Sequence, residues 1–272
     1  MSTRFGFVRR ESTIHNLNPA MKLFSLIFLM ISILAYPSWV LSGLLFLVIL
    51  MSFRVARVPI RISSNRVRFL VIFSLILLLF QVILTPNGII LAYFVPRIGD
   101  VGPFIPITSF GLERGLSISL RFLLIVFSSM LFISVTNPTL LAHSLTKFRI
   151  PYRYSFALVI ALRFLPLFDM ETNLVRMSQK SRGISSEIGG LKKILRTIRY
   201  TFYPLLVSAL SRVETLSLSM DGRGFGYRPE RSYLRESTWS KVDFLVMALS
   251  VGLLFFSFLL ALGMFPELSA IL

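Results

Sequence analysis

Two arginines set among small residues are the groups in this chain best placed to do chemistry. They are Arg182 in Ser181-Arg182-Gly183 and Arg223 in Gly222-Arg223-Gly224. Each closes a long helical pattern, since a glycine just past the last turn is the usual left-handed cap. A cation at a helix C-terminus interacts favourably with the dipole, worth a few tenths to about 1 kcal/mol. Held on an exposed tip, a planar guanidinium can also fork onto a partner's carboxylate. The dipole explains one such tip more easily than two in the same basic segment.

Other candidates carry less. Gly222-x-Gly224-x-Gly226 follows a helix rather than a strand and lacks the spacing of a dinucleotide loop. No Gly-x-x-x-x-Gly-Lys-Ser/Thr run occurs, so phosphate-loop ATP hydrolysis is not expected of this chain. Asp169 and Glu171 point to different sides of one helix and read as a solvated helix start, not an acid/base pair. His15 and His143 are far apart and lack metal-ligand spacing. With no cysteine there is no disulfide, thiolate zinc site or thiol nucleophile. No catalytic residue, metal or cofactor is expected.

The elements that must position the tips follow from composition. Of 272 residues, 55% are hydrophobic and 15% charged, against about 25% charged in ordinary globular chains. The apolar residues gather into long uncharged runs. Leu23 to Phe53 holds Tyr36-Pro37-Ser38 at its middle and reads as two short spans joined by a tight turn, with Lys22 and Arg54 snorkelling at the ends. Phe69 to Pro96 gives a third span, ending near Thr85-Pro86-Asn87-Gly88. Phe122 to Thr136 gives a fourth, entered from Gly115, and Phe244 to Pro266 a fifth. The first 20 residues are polar, with Arg4, Arg9, Arg10 and Glu11, and do not read as a cleavable signal peptide.

The 29 Lys and Arg against 12 Asp and Glu give a net charge of +17. With the N-terminus inside, residues 1–22, 54–68 and 136–241 hold all of the basic residues except Arg97, Arg114 and Arg121. That division obeys the positive-inside rule. The outer loop, 86–114, is rich in Gly and Pro, nearly neutral, and reads as irregular.

Residues 136–241 are basic yet contain apolar stretches. Asn137-Pro138 opens a short amphipathic helix, about 138–148. Pro151 begins a longer one. Its stretch Phe156 to Phe168 is too short to span and reads as buried or interfacial, with a sixth span as the alternative. A second long helix carries one apolar stripe from Leu191 through Leu195, Phe202, Leu206, Val213 and Met220. Lys192, Lys193, Arg196, Arg199, Arg212 and Glu214 lie off that stripe. Each long helix has an internal proline, Pro166 or Pro204, and ends in Arg-Gly, as two similar arms would.

The fold class expected is thus an all-α integral membrane protein: about five transmembrane helices plus a cytoplasmic helical coupling domain with two long amphipathic arms. Residues 1–136 form the first four spans, 137–241 the cytoplasmic domain and 242–272 the last span. Nucleic-acid binding is not needed to explain the basic residues, which alternate with packing positions. A self-sufficient secondary transporter would place charge or broken helices at mid-membrane; only Arg121 approaches a span, near its outer end. A membrane-bound enzyme lacks a catalytic cluster.

Over nearly its whole length the chain resembles the T component of energy-coupling-factor importers, the EcfT/CbiQ family. The resemblance is carried by Leu17-Asn18-Pro19-Ala20-Met21-Lys22-Leu23, Thr136-Asn137-Pro138, Ala161-Leu162-Arg163-Phe164-Leu165-Pro166, Ser178-Gln179-Lys180-Ser181-Arg182-Gly183, Tyr203-Pro204-Leu205-Leu206 and Ser219-Met220-Asp221-Gly222-Arg223-Gly224-Phe225-Gly226. Ser181 and Gly222 stand where that family often has Ala or Ser; both central arginines are kept. The resemblance implies a non-catalytic coupling subunit of an ABC-type importer. On that reading the tips 181–183 and 222–224 dock on two ATP-binding cassette ATPase subunits. The membrane part holds a small substrate-binding S component for vitamin or metal-ion uptake.

Overall fold

The computed structural model describes residues 7, 10, 12–58, 64–95, 104–145, 151–183, 195, 198–227 and 239–264. It divides into two compact units, Met1–Ser144 with Ser237–Leu272, and Leu145–Glu236.

In the first unit, α1 (Thr13–Asn16) leads into α2 (Pro19–Ala35) and α3 (Trp39–Val55). Asn18 caps α2, its side chain accepting from Ala20 N at 3.1 Å, and Pro19 fills the first helical position, where its missing N–H costs nothing. Ser38 caps α3 by accepting from Leu41 N at 3.2 Å. These caps place the tight turn at Tyr36-Pro37-Ser38, as the sequence reading expects. α4 (Ser64–Leu84) stops where Pro86 disfavours helical backbone at Thr85. After the loop come α5 (Ser109–Val135), α6 (Pro138–Leu145) and α9 (Lys241–Ala261).

α5 and α9 are long and apolar enough to cross a membrane, and Pro19–Ala35, Trp39–Val55 and Arg68–Leu84 are shorter apolar helices. Ile33, Leu41, Leu45, Ile49, Phe53 and Leu124, from α2, α3 and α5, form the core of this unit. Phe127 meets Phe46 and Phe53 edge-on at 5.5 and 6.1 Å. Many other large apolar side chains are exposed, among them Leu44, Leu47 and Met51 on α3 and Leu249 and Phe255 on α9. Such surface suits hydrocarbon rather than water. Helix contacts use small residues, as membrane helices do. A Cβ on Gly115 would stand 3.0 Å from Leu78 O, and Ser119 Oγ donates to Ser74 O at 2.6 Å, so α4 and α5 run backbone to backbone.

One end of this unit is tied by polar groups. Asp243 is fully buried; its Oδ1 accepts from Asn18 N at 2.8 Å and its Oδ2 from Ser240 N at 2.7 Å, the second bond belonging to a capping box on α9. Lys22 Nζ donates to His15 O at 3.0 Å and Val135 O at 3.3 Å. The starts of α2 and α9 and the end of α5 therefore meet.

Three expectations are corrected. Within the outer loop, expected to be irregular, β1 (Ile90–Val95) pairs antiparallel with β2 (Phe104–Thr108), while the described residues remain mostly helical. The β-branched and aromatic residues between the glycines and prolines favour strand over coil. α5 begins at Ser109 rather than Gly115, because Thr108 Oγ1 accepts from Gly111 N at 3.1 Å and caps it there. Arg121 consequently sits in the middle of α5, not near its outer end, with Nε and Nη2 shielded and unpartnered among the described residues.

In the second unit, α7 (Tyr152–Ser181) is one 30-residue helix that runs through Pro166. Its apolar first half is not buried within the chain; Leu158 and Leu165 are exposed. The second arm is not one uniform α-helix. A π-helical turn, Ile198–Phe202, precedes α8 (Tyr203–Asp221). Pro204 has no N–H to give the carbonyl of Tyr200, and the wider turn accommodates that loss. The start of the expected stripe at Leu191 lies outside the described residues.

Candidate functional site

Both arginine tips are built by the same local logic. At the end of α7, Arg182 N donates to Ser178 O at 3.2 Å and Gln179 O at 3.1 Å, and Gly183 N to Lys180 O at 3.0 Å. Gly183 then takes φ +76°, a conformation that costs an L-residue about 1–2 kcal/mol. At the end of α8, Gly222 N donates to Leu218 O at 2.9 Å, Arg223 N to Met220 O at 3.1 Å and Gly224 N to Asp221 O at 2.9 Å, with Gly224 at φ +66°. The left-handed glycine stops each helix one residue past the arginine. Ser181, Arg182, Gly183, Gly222, Arg223 and Gly224 are all exposed. Neither guanidinium makes a hydrogen bond or ion pair among the described residues.

The six residues form two sites, not one. Beyond the second tip the chain turns back, with Phe225 N donating to Met220 O at 3.0 Å. The Phe225 ring lies 4.6 Å from that of Phe156 and 6.3 Å from that of Tyr152, near the start of α7. The second tip is therefore fastened beside the beginning of the first arm. Arg182 lies at that arm's other end, about 39 Å along a straight helix from Phe156.

Midway, the arms touch through polar groups. Glu171 on α7 forms an ion pair with Arg212 on α8, and Ser208 Oγ donates to both carboxylate oxygens at 3.2 Å. Glu171 is thus not a solvated helix start: its side chain is only 14% exposed. Sequence reasoning missed this pair because Arg212 sits 41 residues away and off the apolar stripe. It also missed the anchoring role of Phe225, which reads as part of the tip motif alone. Ser208 and Arg212, one helical turn apart, share a face and could have suggested a carboxylate partner.

The family model described as cobalt transport protein, CbiQ, matches residues 10–234. The chain is similar to the energy-coupling factor transporter transmembrane protein EcfT of Macrococcus caseolyticus, with 30% identity over 87% of this chain and 89% of that protein. It is similar to proteins of the same description from Listeria innocua, 28% identical over 92% of this chain and 95% of that one, and from Streptococcus equi, 29% identical over 93% and 94%. The family match takes in both arginine tips and the residues that tie α2 to the end of α5. The chain belongs to the CbiQ family, the transmembrane T components of energy-coupling-factor transporters.

Proposed function

We propose that this T component is the scaffold and coupling subunit of an ABC-type importer, joining two cytoplasmic ATPase subunits to a membrane S component that binds a vitamin or metal ion. The observation that carries the reading is the pair of exposed arginine tips, unpartnered among the described residues, at opposite ends of two joined arms. Two separated cationic tips suit two separate acidic grooves, and a stiff helix can pass a displacement along its length. An open apolar groove between α3 and α9, lined by Leu41, Leu245, Leu249 and Phe256, offers the membrane partner a surface. The chain has no phosphate loop, so ATP turnover belongs to the partners. Purification in mild detergent tests this: two ATPase subunits and an S component should accompany the chain. The chain alone, free of contaminating ATPase, should not turn over ATP. Arrival of the chain alone in every mild detergent, or turnover by the isolated chain, overturns the reading.

The topology proposed with it has five spans, N-terminus inside, and 137–241 as the cytoplasmic domain. The charge division and the meeting of the α2, α5 and α9 ends support it. A single cysteine at Met264 is expected to react with an impermeant reagent added outside intact cells, and one at Ser181 only after the membrane is opened. Labelling of the Ser181 site in intact cells refutes the five-span topology.

A further inference from the structure

Counted back from Arg182, Glu171 lies 11 residues into the first arm; counted back from Arg223, Arg212 lies 11 residues into the second. When the two tips are superimposed, these are the same position in each arm. The structure pairs them with each other, with Ser208 Oγ adding two hydrogen bonds at 3.2 Å. The contact thus joins equivalent positions of the two arms. Identical residues there would set like charges together; a Glu in one arm and an Arg in the other make the crossing attractive. From this point each tip is reached by about 16 Å of helix.

Apart from the Phe225 ring contacts with Phe156 and Tyr152 at one end, apolar packing between the arms is sparse at the crossing. Among the described residues of this unit only Ser155 is buried. Glu171–Arg212 is also the sole ion pair among all described residues of the chain. The Glu171 carboxylate is largely sheltered and Arg212 is 40% exposed, so the pair is neither a free surface contact nor a buried one.

We propose that Glu171 and Arg212, with Ser208, form the pivot of the coupling unit. They are positioning residues that hold the crossing of the two arms, so that displacement of one tip is passed to the other. The proposal deepens the coupling function given above and rests on it. Removing either charge leaves both tips intact but takes away their common fulcrum. ATPase docking should then survive while work done per ATP falls.

The test uses the whole complex, with ATPase subunits and S component, reconstituted in vesicles, and reads substrate uptake per ATP hydrolysed. Glu171→Gln and Arg212→Gln are each expected to keep the ATPase subunits bound and to lower uptake per ATP by about fivefold or more, the lower end of typical coupling effects. The exchange Glu171→Arg with Arg212→Glu restores an opposite-charge pair at the crossing and is expected to recover most of the native ratio. Any smaller fall in the single variants overturns the pivot. So does an exchange no better than the singles, or release of the ATPase subunits by a single variant. The tip reading is judged apart, on Arg182 and Arg223. If the tip variants release the subunits while the Glu171 and Arg212 variants stay fully coupled, the pivot alone fails.

Discussion

Arg182→Glu together with Arg223→Glu is expected to strip the ATPase subunits from the complex and abolish uptake. Each wild-type guanidinium sits one residue before a left-handed glycine, exposed and with no internal partner among the described residues. If each tip enters an acidic groove, reversing its charge leaves a partner carboxylate facing another carboxylate at a desolvated contact. Loss of a buried charge pair across an interface costs about 2–5 kcal/mol, whereas an exposed pair is worth about 0–1 kcal/mol. Two tips lost together should therefore weaken binding by about 700-fold or more, since each 1.4 kcal/mol is about tenfold. Each single change should weaken binding without abolishing it. Arg176→Glu is the control, an exposed cation on the same helix away from the tip. Membrane insertion should be unchanged throughout, because the apolar helices are untouched. Co-purification and vesicle uptake provide the readout. If the double variant holds its ATPases and transports normally, both arginines serve only the helix dipole.

Asp243→Ala is expected to be the most destabilising single change in the first unit. The carboxylate is fully buried and accepts from two backbone N–H groups, Asn18 N at the start of α2 and Ser240 N at the start of α9. It also attracts the Lys22 ammonium, which reaches across to the carbonyl of Val135. Alanine would leave both N–H groups without an acceptor, at about 1–3 kcal/mol each. The lysine would also lose that carboxylate's attraction. These terms overlap, so a net loss of about 2–5 kcal/mol is the expected size. For a chain of this length that lowers the apparent melting temperature by roughly 10 °C. Asp243→Asn keeps an acceptor oxygen and should fall between alanine and wild type. Thermal unfolding in detergent measures both, and an alanine variant that melts with the wild type removes this tie from the account.

Much of this protein was determined by the order of residues along the chain. Long uncharged runs broken by Tyr36-Pro37-Ser38 and Thr85-Pro86 set where helices start and stop, because caps and prolines act on backbone groups within a few residues. The Arg-Gly tips are equally local: a glycine able to adopt positive φ ends the helix directly behind the arginine. What only the tertiary structure decided depends on residues distant in sequence. The strands at Ile90–Val95 and Phe104–Thr108 needed each other's hydrogen bonds. Asp243 tied two helices 225 residues apart, and Glu171 found Arg212 across 41 residues. Periodicity states which face of a helix is apolar; it does not state which charged side chain on the other face will lie within reach of an opposite charge once two helices cross.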